Sequence, residues 1–196
     1  PGEFSDRRAN TGVAAELQAG TEHLKPGQAS GMLTATNAGA VGRTAAWAKV
    51  GKTFNPPLNL TDRQGLGLWV LGDGKGEVLN VQLTSPAHVS QGIGDHYIPV
   101  NFTGWRYFEL VEPESERWKH YTWPYGGAYA TYREAVDYRQ VETVSFWFNN
   151  LPPGQSVTCH LGPVRGLSVF GSKLRNPAVT IGGRTLAFPT ELESGS

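Results

Sequence analysis

Where apolar residues recur in this chain they recur at every second position, and that period restricts the fold more than any other feature. Leu79, Val81 and Leu83 alternate with Val78, Asn80 and Gln82, and Ile98, Val100 and Phe102 alternate with Tyr97, Pro99 and Asn101. Further on, Val144, Phe146 and Phe148 alternate with Ser145, Trp147 and Asn149. A period of two puts one set on each side of a strand, whereas a helix needs an apolar stripe near 3.6, and no segment carries one. The chain has 25 glycines and 13 prolines, and turn signals recur about every 8 to 12 residues. The pattern predicts an all-β chain, a sandwich or jelly roll of about nine short antiparallel strands.

The turn chemistry suggests how those strands join. Leu66 to Leu83 reads as two strands around the glycine-rich turn Gly72-Asp-Gly-Lys-Gly76, whose glycines supply the positive φ of a tight connection. In that hairpin Leu66, Leu68 and Val70 face the core, which leaves Gly67, Trp69 and Leu71 beside Asn80 and Gln82. Ser85-Pro86 opens a loop closing at Gly94, and a second hairpin joins Tyr97–Phe102 to Trp105–Leu110 through Thr103-Gly104. A third pairs Val144–Asn149 with Ser156–Pro163, and a short one surrounds Gly182-Gly183. Val13 to Leu17 and Met32 to Thr36 are expected strands; another runs from Arg43 to Phe54 and is ended by Pro56-Pro57. Between Val111 and Glu142 no period survives, yet Trp118, Tyr121, Trp123, Tyr125, Tyr129, Tyr132 and Tyr138 crowd together. A long aperiodic loop in a compact domain is functional or disordered, and its aromatics favour an ordered loop, as a wall of a binding site or a lid over the core.

Composition limits the partners. With 196 residues one domain suffices; it is expected over residues 11–165, with residues 1–10 a tag remnant or linker and 166–196 a C-terminal strand pair or linker. Lys plus Arg equals Asp plus Glu at 17 each, so no net field recruits nucleic acid or an anionic membrane. No stretch approaches the roughly 18 apolar residues of a membrane span. The single Cys159 forbids an internal disulfide and, alternating with Val157 and Leu161, is expected to be a buried, unreactive hydrophobe. Pro1-Gly-Glu-Phe4 resembles a cloning scar and the last residues are a polar run, which points to a piece excised from a larger protein without its targeting signal.

Catalytic constellations are lacking. Gly72 to Gly76 resembles a phosphate loop, but Lys75 is not followed by Ser or Thr and a strand comes next. Glu109, Glu112, Glu114 and Glu116 form a solvated acidic cluster more readily than a glycosidase pair. The five histidines have no zinc spacing, and Asp95-His96 is expected to close a turn. The chain is therefore not expected to be an enzyme.

What stands out is aromatic and amide chemistry on faces that need not be buried. A sugar presents an apolar C–H face edged by hydroxyls, so an aromatic ring stacks on it while amides and guanidinium groups read the hydroxyls. Trp47, Trp69 and Trp147 with Arg43, Asn80, Gln82 and Asn149 fit that description, and Trp123 and Tyr125 flank Pro124 at the tip of the aromatic loop. Trp105 is expected in the core and Trp47 outside it, while Trp69 and Trp147 divide evenly between core and ligand face.

The hairpin from Leu66 to Leu83, His96 to Phe108 with its Phe102-Thr-Gly-Trp105 turn, Val144 to Asn150, and Val157 to Gly162 together resemble the galactose-binding-like jelly roll of bacterial carbohydrate-binding modules. The resemblance spans residues 32–164. It implies a non-catalytic module, secreted or at the cell surface, tethered to a polysaccharide-degrading catalytic domain. Its partner would be a plant-type polysaccharide or oligosaccharide, β-glucan or xylan-like. No cofactor is required; a structural calcium is the ion that such modules frequently hold. The alternative is a structural β-sandwich that packs on a catalytic domain and has no glycan of its own, and a lyase or hydrolase is a third reading.

Overall fold

In a computed structural model of the chain, residues 3–20, 22, 29–63, 65–86, 92–111, 136–168, 178–181 and 184–187 are described. Among them are thirteen strands: β1 Asp6–Ala9, β2 Val13–Ala19, β3 Gly31–Asn37, β4 Trp47–Leu58, β5 Gly65–Asp73, β6 Val78–Ser85, β7 Gly92–Pro99, β8 Thr103–Val111, β9 Val141–Asn149, β10 Gln155–Leu161, β11 Arg165–Leu167, β12 Ala178–Ile181 and β13 Arg184–Ala187. The helical content among the described residues is one 3-10 turn, Arg43–Ala45. The all-β expectation holds. More strands are present than the nine expected, partly because the stretch taken as a tag remnant contains β1, which pairs with β4.

Two antiparallel sheets face each other. The first has the order β1-β4-β9-β6-β7. In the second, β2 pairs with β3, β3 with β10, and β5 lies between β8 on one edge and both β10 and β11 on the other. The apolar sets found by alternation meet between the sheets: Val50, Leu79, Val81, Phe146 and Phe148 from the first, Leu33, Leu68, Val70, Val157 and Cys159 from the second. This is the β-sandwich jelly roll.

The strand partners differ from those the turns suggest. β5 and β6 are not a hairpin: β5 pairs with β8, β10 and β11, and β6 pairs with β7 and β9. Likewise β7 and β8, and β9 and β10, lie in opposite sheets. All three connections are crossovers at the same end of the sandwich. Gly74 and Gly76 both have φ of 78° there, and a Cβ on Gly72 would stand 2.5 Å from the Phe102 carbonyl oxygen, so only glycine lets the outgoing and returning chains pass. Their backbones then bond to each other, Gly76 N to Val100 O at 2.9 Å and Val100 N to Glu77 O at 2.8 Å. The buried Asn37 side chain fastens this end further, donating to the carbonyls of Val41 and Leu151 at 2.9 and 3.1 Å.

Two smaller corrections concern β4 and β7. β4 continues through Pro56-Pro57 to Leu58, with its register against β9 shifted between Thr53 and Leu58; a bulge accommodates the missing N–H groups. Asp95-His96 closes no turn, since both lie within β7. β12 and β13 pair around Gly182-Gly183, whose turn geometry lies outside the described residues.

Candidate functional site

The outward sets of β4, β9, β6 and β7 line up across the outer face of the first sheet. Register places Lys49, Trp147, Asn80 and Tyr97 in one row and Gly51, Ser145, Gln82 and Asp95 in the next. Trp47 neighbours Asn149 at the crossover end. The alternation of β9 thus puts Phe146 and Phe148 into the core and, by the same geometry, Trp147 and Asn149 on this face.

The two indoles form a unit. The Trp47 and Trp147 rings lie 5.3 Å apart, tilted by 43°. Lys49 Nζ stands 5.2 Å from the Trp147 ring and 2.8 Å from Asp6 Oδ2 on β1, a cation–π contact backed by an ion pair. The hydrogen bond from Lys49 holds the Asp6 carboxyl below the usual aspartate range, against the opposing effect of partial burial. Trp147 is thereby fixed from two sides, and its Nε1 is buried with no hydrogen-bond partner among the described residues. Leaving a buried N–H unpaired costs about 1–3 kcal/mol.

Beside it lies a polar network. Asn80 Nδ2 and Gln82 Nε2 both donate to Asp95 Oδ1, each at 2.7 Å, and His96 N donates to Asn80 Oδ1 at 2.9 Å. Asn80, Asp95 and Ser145 are buried despite facing away from the core. Thr84 and Thr143 hydrogen-bond to one another further along the face. A rigid wall of amide and carboxylate groups next to paired indoles can stack on a flat apolar ring and exchange hydrogen bonds with its substituents. The neighbouring His96 takes no part, because it points inward, where its Nδ1 meets Val81 O at 2.8 Å and burial depresses its pKa. An acid–histidine catalytic pair is therefore absent at this dipeptide: the two side chains are on opposite faces of β7.

Of the residues expected at the site, the fold brings together Trp47, Asn80, Gln82, Trp147 and Asn149. Trp69 is not among them. It lies on the outer face of the second sheet, because β5 and β6 belong to different sheets. Trp105, expected in the core, is on that same outer face, half-buried and paired in register with Leu71. Arg43 is committed elsewhere, its Nη2 donating to the carbonyls of Lys75 and Gly76 at 3.0 and 2.9 Å, which ties the 3-10 turn to the crossover. Trp123 and Tyr125 lie outside the described residues, as does most of the aromatic loop; at its end Tyr138 packs against the core and its carbonyl accepts from Leu60 N at 2.7 Å. Sequence reading missed Asp95, Tyr97 and Lys49. The alternation of Ile93, Asp95 and Tyr97 with Gly94, His96 and Ile98 was the available signal, obscured by Gly92 and Gly94, which resemble loop residues.

Among the described residues no cluster of three or more His, Cys, Asp or Glu side chains is placed to hold a metal ion.

No family model matches the sequence, and no curated protein does. Solved structures match its fold. A family 11 carbohydrate-binding module from Clostridium thermocellum, in complex with a β-1,3-1,4-mixed-linked tetrasaccharide, aligns at a TM-score of 0.54 over 83% of this chain and 90% of its own, with 12% identity. The family 11 module of the cellulosomal cellulase Lic26A-Cel5E of the same organism aligns at 0.53 over 84% and 92%, also with 12% identity. A chain from a study of promiscuous specificity in β-sandwich carbohydrate-binding modules aligns at 0.53 over 83% and 56%, with 11% identity. The chain has the carbohydrate-binding-module jelly-roll fold. At this identity the likeness concerns the fold, and the side chains of the outer faces are this chain's own.

Proposed function

We propose that the chain is a non-catalytic carbohydrate-binding module whose glycan lies across the outer face of the first sheet. The observation that carries this reading is the Trp47–Trp147 pair beside the Asn80–Asp95–Gln82 network. The rings take the C–H face of a pyranose, and the half-buried Asn149 and Gln82 meet hydroxyls. A neutral polymer suits a chain of zero net charge. A β-glucan or xylan-like chain is the substrate class, and the family 11 neighbour with its mixed-linked tetrasaccharide supports the first. The module would work secreted or at the cell surface, tethered to a polysaccharide-degrading domain.

Affinity electrophoresis through gels containing β-1,3-1,4-glucan, xylan or no polysaccharide tests this. The parent chain is expected to be retarded by at least one polymer. Trp47→Ala removes one ring of the half-buried outward pair, so it should fold normally and be retarded at least tenfold more weakly, about 1.4 kcal/mol. Unchanged mobility of the parent in every gel would support the structural sandwich instead.

A further inference from the structure

The outer face of the second sheet carries its own aromatic platform. Trp69 and Tyr107, cross-strand neighbours on β5 and β8, are 36% and 42% exposed and so are two of the few large hydrophobic side chains left open to solvent among the described residues. Their rings lie 5.3 Å apart at 47°. The floor beneath them is glycine: a Cβ on Gly67 would meet Tyr107 Oη at 2.3 Å, and one on Gly162 would meet Trp69 Cβ at 3.2 Å. Tyr107 therefore lies down over Gly67 rather than standing off the sheet. Trp105 continues the aromatic strip along β8, one outward position away. Register sets the exposed Arg165 and Glu109 on either side of Gly67, which places a guanidinium and a carboxylate beside the rings.

We propose that Trp69 and Tyr107 form a second glycan-stacking surface, so that the chain engages two stretches of polysaccharide, one on each outer face of the sandwich. The occupant is a neutral pyranose chain, because Tyr107 reclining over Gly67 and Trp69 tilted 47° to it offer apolar ring faces, and the flanking groups are hydrogen-bonding residues of opposite sign that leave no net charge for an ionic partner. The inference extends the function proposed above, on a surface that shares no residue with the first site. Two sites on one polymer raise the apparent affinity beyond that of either alone.

Isothermal titration with the tetrasaccharides of β-1,3-1,4-glucan and of xylan, alongside gels of the polymers, tests it. The parent chain should bind two equivalents of its preferred tetrasaccharide. Trp69→Ala/Tyr107→Ala, both on an outward face, should fold as the parent does by circular dichroism, bind one equivalent, and be retarded on the polymer about a hundredfold more weakly, at the low end of what bivalency confers. Gly67→Ala, which displaces the Tyr107 ring without removing it, should reproduce that loss. Trp47→Ala should weaken the other equivalent and leave this one. A single equivalent in the parent that Trp47→Ala weakens and the double variant retains would overturn the second surface and leave the proposed function standing. A single equivalent lost only in the double variant would keep this surface and displace the first, and a parent that binds neither sugar would overturn both.

Discussion

Glu77 offers the sharpest test of the packing at the crossover end. Its side chain is buried between the sheets just past Gly76, with Oε1 3.7 Å from the Cys159 sulfur and Oε2 without a hydrogen-bond partner among the described residues. Burial, with a further push from Asp73, raises its pKa from 4.5 to about 7. Folding therefore favours the protonated acid. Between those two values the native chain holds a proton that the unfolded chain has released, so the contribution of Glu77 is full below the unfolded pKa and is lost as pH rises to the folded one. A rise from 4.5 to about 7, at about 1.4 kcal/mol per pH unit, amounts to about 3.5 kcal/mol, of which about 3 kcal/mol falls between about pH 4 and about pH 8. Glu77→Gln keeps the shape and removes the titration. Urea unfolding of parent and variant, from about pH 4 to about pH 8, should show the variant gaining about 3 kcal/mol on the parent across that range. His96 acts with the opposite sign, since burial depresses its pKa and makes the fold lose stability as pH falls, but it is common to both proteins and cancels. A difference between parent and variant that stays flat with pH would refute the argument, because it would mean that the carboxylate ionises in the fold as readily as in water.

Further outcomes follow from the same packing. Phe148→Ala empties a fully buried site on the central strand β9 and should cost about 3–5 kcal/mol in denaturant unfolding; a loss under about 1 kcal/mol would mean that the sheets do not close on it. Cys159 is buried, and desolvation followed by the nearby Glu77 and Asp73 charges raises its thiol pKa well above the ordinary value. Its labelling by a thiol reagent should therefore follow global unfolding, and fast labelling of the native chain would contradict this.

Much of the fold was legible because period two states which side of each strand is buried. Leu79, Val81 and Leu83 are inside and Asn80 and Gln82 outside, as the alternation requires; so are Phe146 and Phe148 against Trp147 and Asn149. Cys159 was placed in the core by the same rule. Within the site the legible part was Trp47, Trp147, Asn149, Asn80 and Gln82, each outward by alternation on its own strand. Asp95 and Tyr97 were hidden because glycines at 92 and 94 mask a strand start.

Strand partners were another matter. A glycine-rich connection between two alternating strands serves a hairpin within one sheet or an arch between two, and both keep the apolar sets facing the core. The sequence from Leu66 to Leu83 satisfies either, so alternation alone determined that Trp69 and Asn80 both point outward. Whether they share a face depends on which strands complete the backbone ladders. β8 and β10 take the edges of β5, and β7 and β9 take those of β6. Of those pairings β6 with β7 joins consecutive strands, and the others join residues far apart in the chain, which local pattern does not encode. The sequence by itself determined the inward and outward faces of the strands whose alternation it showed; the tertiary structure alone decided that Trp69 and Trp147 stand on opposite sides of the sandwich, because sheet membership is set by long-range hydrogen bonding.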